Sequence, residues 1–389
     1  MLCGSLALAC AALPAAESAA PITLADGLLD PAQTETLGLA YAPGAETFTI
    51  FRPGPDDNRY NHGVVLLPFQ GRLYAQWQTS KRDEDAPDTH VVYSVSDDGE
   101  TWSAPRLLAP AMEYGAENGI RSSGGWWSDG ATLVAYINEW PAMEGQPKGG
   151  RTVYRSSPDG ERWSAMHPVT GVDGEPVPGV FEQDPRALPD GRIVSAFHLQ
   201  PGLQVAPFYT EDPLGVSGWT RGRMQNLPHD NPASSRELEP SWFRRPDGAL
   251  VMLFRDQANS YRKLASVSRD RGASWTTPAL TDVPDSRSKQ SAGNLPDGSA
   301  FLVGNPTTDR RRYPLAILLS ADGRRFDRAW LLRAGGADLQ PLRHEGRYKR
   351  PGFSYPKSVL WGDYLYVGYA SNKEDVELTR VAAETLTRR

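Results

Sequence analysis

Short, mostly apolar runs recur along the chain, and six times such a run enters a tight turn ending in glycine and leaves on another run. The turn glycines are Gly71 in PFQGRLYAQW, Gly130 in WSDGATLVAY, Gly191 in LPDGRIVSAF, Gly248 in RPDGALVMLF, Gly298 in LPDGSAFLVG and Gly362 in LWGDYLYVGY. Short apolar runs bounded by turn signals predict strands, and a glycine at positive φ closes the hairpin between them. Successive glycines are 59, 61, 57, 50 and 64 residues apart, about the length of one propeller blade with generous loops. The pattern predicts an all-β fold, a six-bladed β-propeller; a seventh blade would have to hide in a long loop.

A second signature follows most hairpins, a Ser/Asp/Gly turn that closes on an aromatic residue. It reads Asp97, Gly99, Thr101 and Trp102 in blade one, and Ser156, Asp159, Gly160 and Trp163 in blade two. Blade four has Ser268, Asp270, Gly272, Ser274 and Trp275, and blade five has Ser320, Asp322, Gly323 and Phe326. Blade three keeps only a ragged version around Gly218 and Trp219. Such turns use Asp and Ser oxygens to satisfy turn amides while the aromatic packs beneath, which makes them structural. Blade six is short of a strand, and the alternating segment Glu46 to Phe51 is expected to complete it and close the ring without an exposed edge.

Composition narrows the class of protein. With 39% apolar residues, 33 Pro, 37 Gly and 11 Trp, the chain suits short strands joined by ordered loops. A repeat covering most of the 389 residues predicts one closed domain over 46–389 after an extension at 21–45. A net charge of −6 leaves no general basic field, so nucleic acid is not an expected partner and any anion must be held by local Arg or Lys. Residues 2–16 (LCGSLALACAALPAA), with small residues on to Ala20, predict a signal peptide and a secreted or periplasmic protein. Both cysteines, Cys3 and Cys10, lie in that leader, so disulfides, thiolate metal sites and Cys nucleophiles are not expected in the mature chain. Nothing later reaches the roughly 18 apolar residues of a membrane span. Without a phosphate loop or a metal-ligand spacing, the expectation is a monomer with no cofactor or metal.

The recurrent Ser/Asp/Gly/aromatic turns resemble those of the sialidase superfamily, and the likeness extends over roughly residues 46–384. ELEPSWFRRPDGALVMLFR is similar to the sialidase segment in which a Glu begins an inner strand and an Arg ends the next. The resemblance implies that Glu239 polarises a nucleophile and Arg255 binds a substrate carboxylate. In FSYPKSVLWGDYLYVGYA it implies that Tyr355 is the nucleophile, and in NPTTDRRRYPLAILLSADG that Arg312, or Arg311, is a second carboxylate-binding Arg. Blade one departs from the pattern, because RYNHGVVLLP offers Asn61 and His62 where sialidases have Arg and Ile, and Arg59 lies two residues too early. The expected acid falls among Asp83, Asp85 and Asp88, with Asp88 the candidate. The superfamily also includes rhamnosyl-glucuronate lyases and plant-gum hydrolases, and His62, RYKRPGFSYP and NKEDVE resemble that branch.

The turn glycines also serve as a ruler. Nine residues before them lie His62, Arg121, Glu182, Glu239, Lys289 and Phe353, with Tyr355 two further on; seven after them lie Gln78, Ile137, His198, Arg255, Asn305 and Tyr369. Ionisable residues at equivalent inner-strand positions are unusual, since charges are rarely buried without partners. Two polar rings at one mouth describe a pocket for an acidic oligosaccharide or polysaccharide, although a wet shaft would accept the same residues. Three chemistries are compatible. In a glycosidase Tyr355 attacks, Glu239 takes its proton, Asp88 or a histidine is the acid, and Arg255, Arg312 and Arg121 hold the carboxylate, with Glu182, Lys289 and His198 as further binding residues. In a uronate lyase, His62 or Tyr355 abstracts the C5 proton. The third is a glycan-binding propeller without catalysis.

Overall fold

The computed structural model describes residues 20–112, 119–141, 149–200, 202–231 and 233–387. The leader predicted at 1–20 lies outside the described residues except for its last position. Six four-stranded antiparallel sheets form a ring. Their innermost strands are Tyr60–Phe69, Gly119–Ser128, Gly179–Ala187, Glu237–Arg244, Ser291–Asn294 and Phe353–Trp361. The outermost strand of blade six is Glu46–Phe51, paired antiparallel with Asp375–Ala382, so the first propeller strand closes the ring against the last blade. Residues before it strap the rim, with Thr23–Leu24 parallel to Arg325–Phe326 and Ile22 fully buried.

The core sits between blades. Six apolar clusters occupy the six interfaces, such as Val65, Tyr74 and Tyr93 of blade one against Trp126, Ala135 and Ile137 of blade two. The remaining five are built in the same way. Each sheet is thus buried on both faces, which explains why the strands read as nearly continuous apolar runs with alternation only at their ends.

All six turn glycines have φ between 55° and 95°, and a Cβ added to any of them would meet nothing within 4 Å, so backbone conformation rather than space requires glycine there. The aspartate turns differ in detail from the sequence reading. In blade one Asp98, not Asp97, accepts the amides of Glu100 and Thr101, while Asp97 is exposed and paired with Arg72. In blade two Ser157, not Ser156, bonds Asp159 and the Gly160 amide. Blade three builds its turn on Thr210 and Asp212, which sit ahead of Gly218 and take the amides of Leu214, Val216 and Ser217.

Five inner strands carry a register shift near the same rim. In blades four and six the extra residues are Glu239-Pro240 and Tyr355-Pro356. Glu239 and Tyr355 adopt φ of 52° and 58°, as does Gly63 of blade one at 67°. A bulge re-aims a side chain out of the pleat. Glu239 and Tyr355 are therefore structural equivalents on two blades, whereas the glycine ruler aligns Glu239 with Phe353.

Candidate active site

The bulges turn Glu239 and Tyr355 toward each other. Tyr355 donates its phenol to Glu239 Oε1 at 2.5 Å, and Arg255 Nη1 donates to Glu239 Oε2 at 2.7 Å and to the Tyr355 oxygen at 3.1 Å. A left-handed backbone at a non-glycine residue costs ~1–2 kcal/mol, and here it occurs twice, both times ahead of proline. Strain of this kind persists where surrounding contacts over-determine the geometry.

Charge follows from that geometry. Burial works to raise Glu239, but Arg255 and Lys289 outweigh it and hold the carboxyl below its ordinary value. Burial and then the Glu239 charge raise Tyr355 well above an ordinary phenol, against the pull of Arg255 and Arg312. The pair is an ionised carboxylate accepting from a neutral phenol, so the proton lies on the tyrosine and its acceptor is in place.

Around the pair lies a cavity of about 280 Å³. His62, Gln78, Glu182, His198, Glu239, Lys289 and Tyr355 all line it, which brings together most of the residues picked out by the ruler. The Arg312 guanidinium lies 5.0 Å from the Tyr355 ring centroid, and its Nε and Nη1 are buried without a hydrogen-bond partner among the described residues. Its neighbour Arg311 is tied to Asp309. The His62 ring lies 4.3 Å from the Tyr355 ring and is 2% exposed, and neither nitrogen has a hydrogen-bond partner among the described residues. Burial first, then Lys373, Arg312, Lys289 and Arg350, keeps its pKa well below the usual histidine range, so it is a neutral imidazole.

Other expected residues play different parts. Arg121 does not line the cavity; its guanidinium is bonded to Glu139 and the Pro110 carbonyl, and Ile120 and Ser122 line the wall instead. The ruler misplaces it because the register shift of blade one begins at His62 whereas that of blade two begins at Ser123, which leaves Arg121 two residues outside the shift. Asp88 accepts the Lys81 amide and lies outside the cavity lining, to which the same loop contributes Glu84 and Asp85. His198 and Glu182 reach the cavity, yet His198 Nδ1 is 2.8 Å from Glu182 Oε1 and its Nε2 accepts the Glu239 amide at 3.0 Å. Glu182 Oε2 pairs with Lys289 at 2.8 Å. These three residues bond to one another and to the Glu239 backbone.

Sequence reasoning missed two charges at the rim. Glu84 falls in a run whose composition reads as a solvated loop, but it lines the cavity and pairs with Lys373. Burial, with repulsion from Arg312 and Arg350 and against the pull of Glu84, brings Lys373 down to about 8. The NKEDVE stretch holding Lys373 stands out in the sequence by its likeness to the lyase and gum-hydrolase branch, without a position in the ring. Among the described residues no cluster of three or more His, Cys, Asp or Glu is placed to hold a metal ion.

A six-bladed propeller with aspartate turns and a Tyr/Glu/Arg constellation at one mouth defines the sialidase-like propellers as a class. The chain belongs to the BNR repeat-like domain family, whose model matches residues 71–367, and so to the sialidase superfamily. A sialidase of Bacteroides fragilis is 24% identical over 271 residues, which are 60% of this chain and 47% of that protein. The chain therefore spans about half the length of that relative. Among solved structures, a sialidase superposes with a TM-score of 0.66 at 19% identity, covering 93% of this chain and 35% of that one. The intramolecular trans-sialidase from Ruminococcus gnavus gives 0.64 at 13% identity, covering 88% and 98%. A Trypanosoma rangeli sialidase gives 0.61 at 14% identity, covering 90% and 61%. At these identities the superpositions speak to the fold.

Proposed function

We propose that this protein is a sialidase-like exo-glycosidase, secreted or periplasmic, that removes a terminal acidic sugar from a glycan. The observation that carries the reading is the triangle of Tyr355, Glu239 and Arg255, with the phenol 2.5 Å from an ionised carboxylate. Tyr355 Oη attacks the anomeric carbon as Glu239 takes its proton; the new O–C bond forms while the glycosidic C–O bond breaks. A neutral phenol suits an anomeric carbon bearing a carboxylate, because a carboxylate nucleophile would be repelled. Arg255 and Arg312, beside Tyr355 at the edge of the cavity though not among its lining residues, hold the sugar carboxylate. Asp85, a cavity-lining carboxyl on the loop where the acid is expected, protonates the leaving oxygen, whereas Asp88 is turned to the Lys81 amide outside the lining. Water then releases the sugar from Tyr355. A cavity of about 280 Å³ fits one sugar residue better than a continuous chain.

A second reading has its own observation. A neutral His62, with no hydrogen-bond partner among the described residues, faces the Tyr355 ring at 4.3 Å, and a neutral imidazole is a base. In a uronate lyase it would take the C5 proton while the C4–O bond breaks, the leaving oxygen takes a proton from a second group such as the Tyr355 phenol, and a C4–C5 double bond forms. Incubating the protein with sialyl-lactose and with a glucuronate-rich gum, while following near-ultraviolet absorbance and released sugar, separates the readings. Free sugar without absorbance supports the hydrolase; absorbance overturns it in favour of the lyase; binding without either product overturns both.

A further inference from the structure

Glu239 holds its catalytic position with a left-handed backbone, a conformation that a non-glycine residue ahead of proline adopts only when its surroundings impose it. The contacts that impose it come from two directions. On one side the Glu239 N–H is accepted by His198 Nε2 at 3.0 Å. Because Nε2 accepts, the ring proton is on Nδ1, where it is donated to Glu182 Oε1 at 2.8 Å. Lys289 anchors the other oxygen of Glu182 at 2.8 Å. On the other side the Glu239 carbonyl accepts from Gln290 Nε2 at 2.9 Å, and the same nitrogen donates to the Leu253 carbonyl at 3.1 Å. The Gln290 amide is oriented in turn by Lys263, which donates to its Oε1 at 2.8 Å and is held by Asp285 at 2.7 Å and by the Ser288 carbonyl.

Every member of these two chains is buried, with Gln290 and Asp285 at 0% exposure. Buried ion pairs are weak sources of stability, because desolvation opposes their attraction. Here both converge on the two polar atoms flanking a single residue. One comes from blade three and the connection between blades four and five, the other from blade four and the same connection.

We propose that His198 and Gln290 are positioning residues, a two-sided clamp on the Glu239 backbone that fixes the bulge and with it the meeting of carboxylate and Tyr355 phenol. His198 thereby acts on catalysis through Glu239 and not through substrate. The inference rests on the reading that Tyr355 and Glu239 do the chemistry, and its test keeps the two apart.

The test uses the full chain labelled with 3-fluorotyrosine, in which the Tyr355 fluorine signal is the one lost in Tyr355→Phe. His198→Phe keeps a ring but cannot accept the Glu239 amide, whereas His198→Gln offers an amide oxygen to it. Gln290→Met removes the donor to the carbonyl, and Gln290→Glu keeps the shape and the lysine partner but cannot donate. In folded protein, His198→Phe, Gln290→Met and Gln290→Glu are expected to move the Tyr355 signal and to lower kcat at least tenfold with KM changed less than threefold. His198→Gln is expected to restore part of both. Folded variants with an unmoved Tyr355 signal overturn the clamp whatever their activity, and should His198→Phe not fold, either Gln290 variant decides the matter by the same signal. An active Tyr355→Phe overturns the catalytic reading while leaving the signal test of the clamp intact.

Discussion

At the scale of single residues the chemistry depends on which groups hold charge beside Tyr355. Arg255 is a principal reason the Glu239 carboxyl stays low against the effect of burial. A base must be ionised to work, so activity is lost as pH falls through the Glu239 pKa. Arg255→Gln removes the counter-charge, lets burial dominate and moves that acid limb to higher pH. A loss of roughly 100-fold or more in kcat/KM at neutral pH is expected, with the fold retained. A pH–rate profile of the variant checks this, and an unmoved acid limb contradicts it. The acid is tested by leaving group. Asp85→Asn should slow a substrate with a sugar leaving group by roughly 100-fold or more while sparing an aryl glycoside whose phenol leaves without help. Asp88→Asn, which alters only a loop acceptor, should spare both. That Glu239, Tyr355 and Arg255 belong together was legible in the sequence through the likeness of their segments to sialidase ones beside recognisable hairpins, and Arg312 only as one of two neighbouring arginines. Glu84 and Lys373 were not, because loop tips 289 positions apart bring them together.

At the scale of elements, hairpins and aspartate turns set the geometry without joining the chemistry. Asp270 accepts the Ser274 amide at 2.8 Å and bonds both Ser268 and Ser274 hydroxyls. Asp270→Ala should cost ~1–2 kcal/mol by thermal or urea unfolding and leave kcat unchanged. A selective loss of kcat would give these turns a part that the structure does not assign them. Blade number and ring closure were readable because turn glycines punctuate every hairpin. Alignment between blades was less so, since the register shift lies at a different distance from the turn glycine in blades one and two, which puts Arg121 off the ring. Bulges carry no signature of their own in one sequence, although Glu239-Pro240 and Tyr355-Pro356 share a proline that marks where the pleat breaks.

At the scale of the whole molecule, six blades share six apolar interfaces and no blade has a core of its own. Trp126 shows what this implies. It is 2% exposed, donates its indole N–H to the Val65 carbonyl of blade one at 3.0 Å, and packs against Tyr74, Tyr93 and Trp163. Trp126→Ala should destabilise the protein by ~3–5 kcal/mol, in a single unfolding transition because the interface belongs to two blades. Separate melting of one blade pair would contradict a ring that stands as a unit. The same closed ring brings Glu239 of blade four and Tyr355 of blade six to one mouth, 116 residues apart in sequence. The proposed chemistry stands or falls with this tyrosine as the nucleophile. Peptide mass analysis decides it, after acid quench of the protein reacting with an acidic-sugar substrate fluorinated beside the anomeric carbon, which slows release of the sugar. The expected result is an adduct of one sugar residue on the peptide containing Tyr355, absent in Tyr355→Phe; turnover with no adduct, or an adduct on another residue, would contradict it.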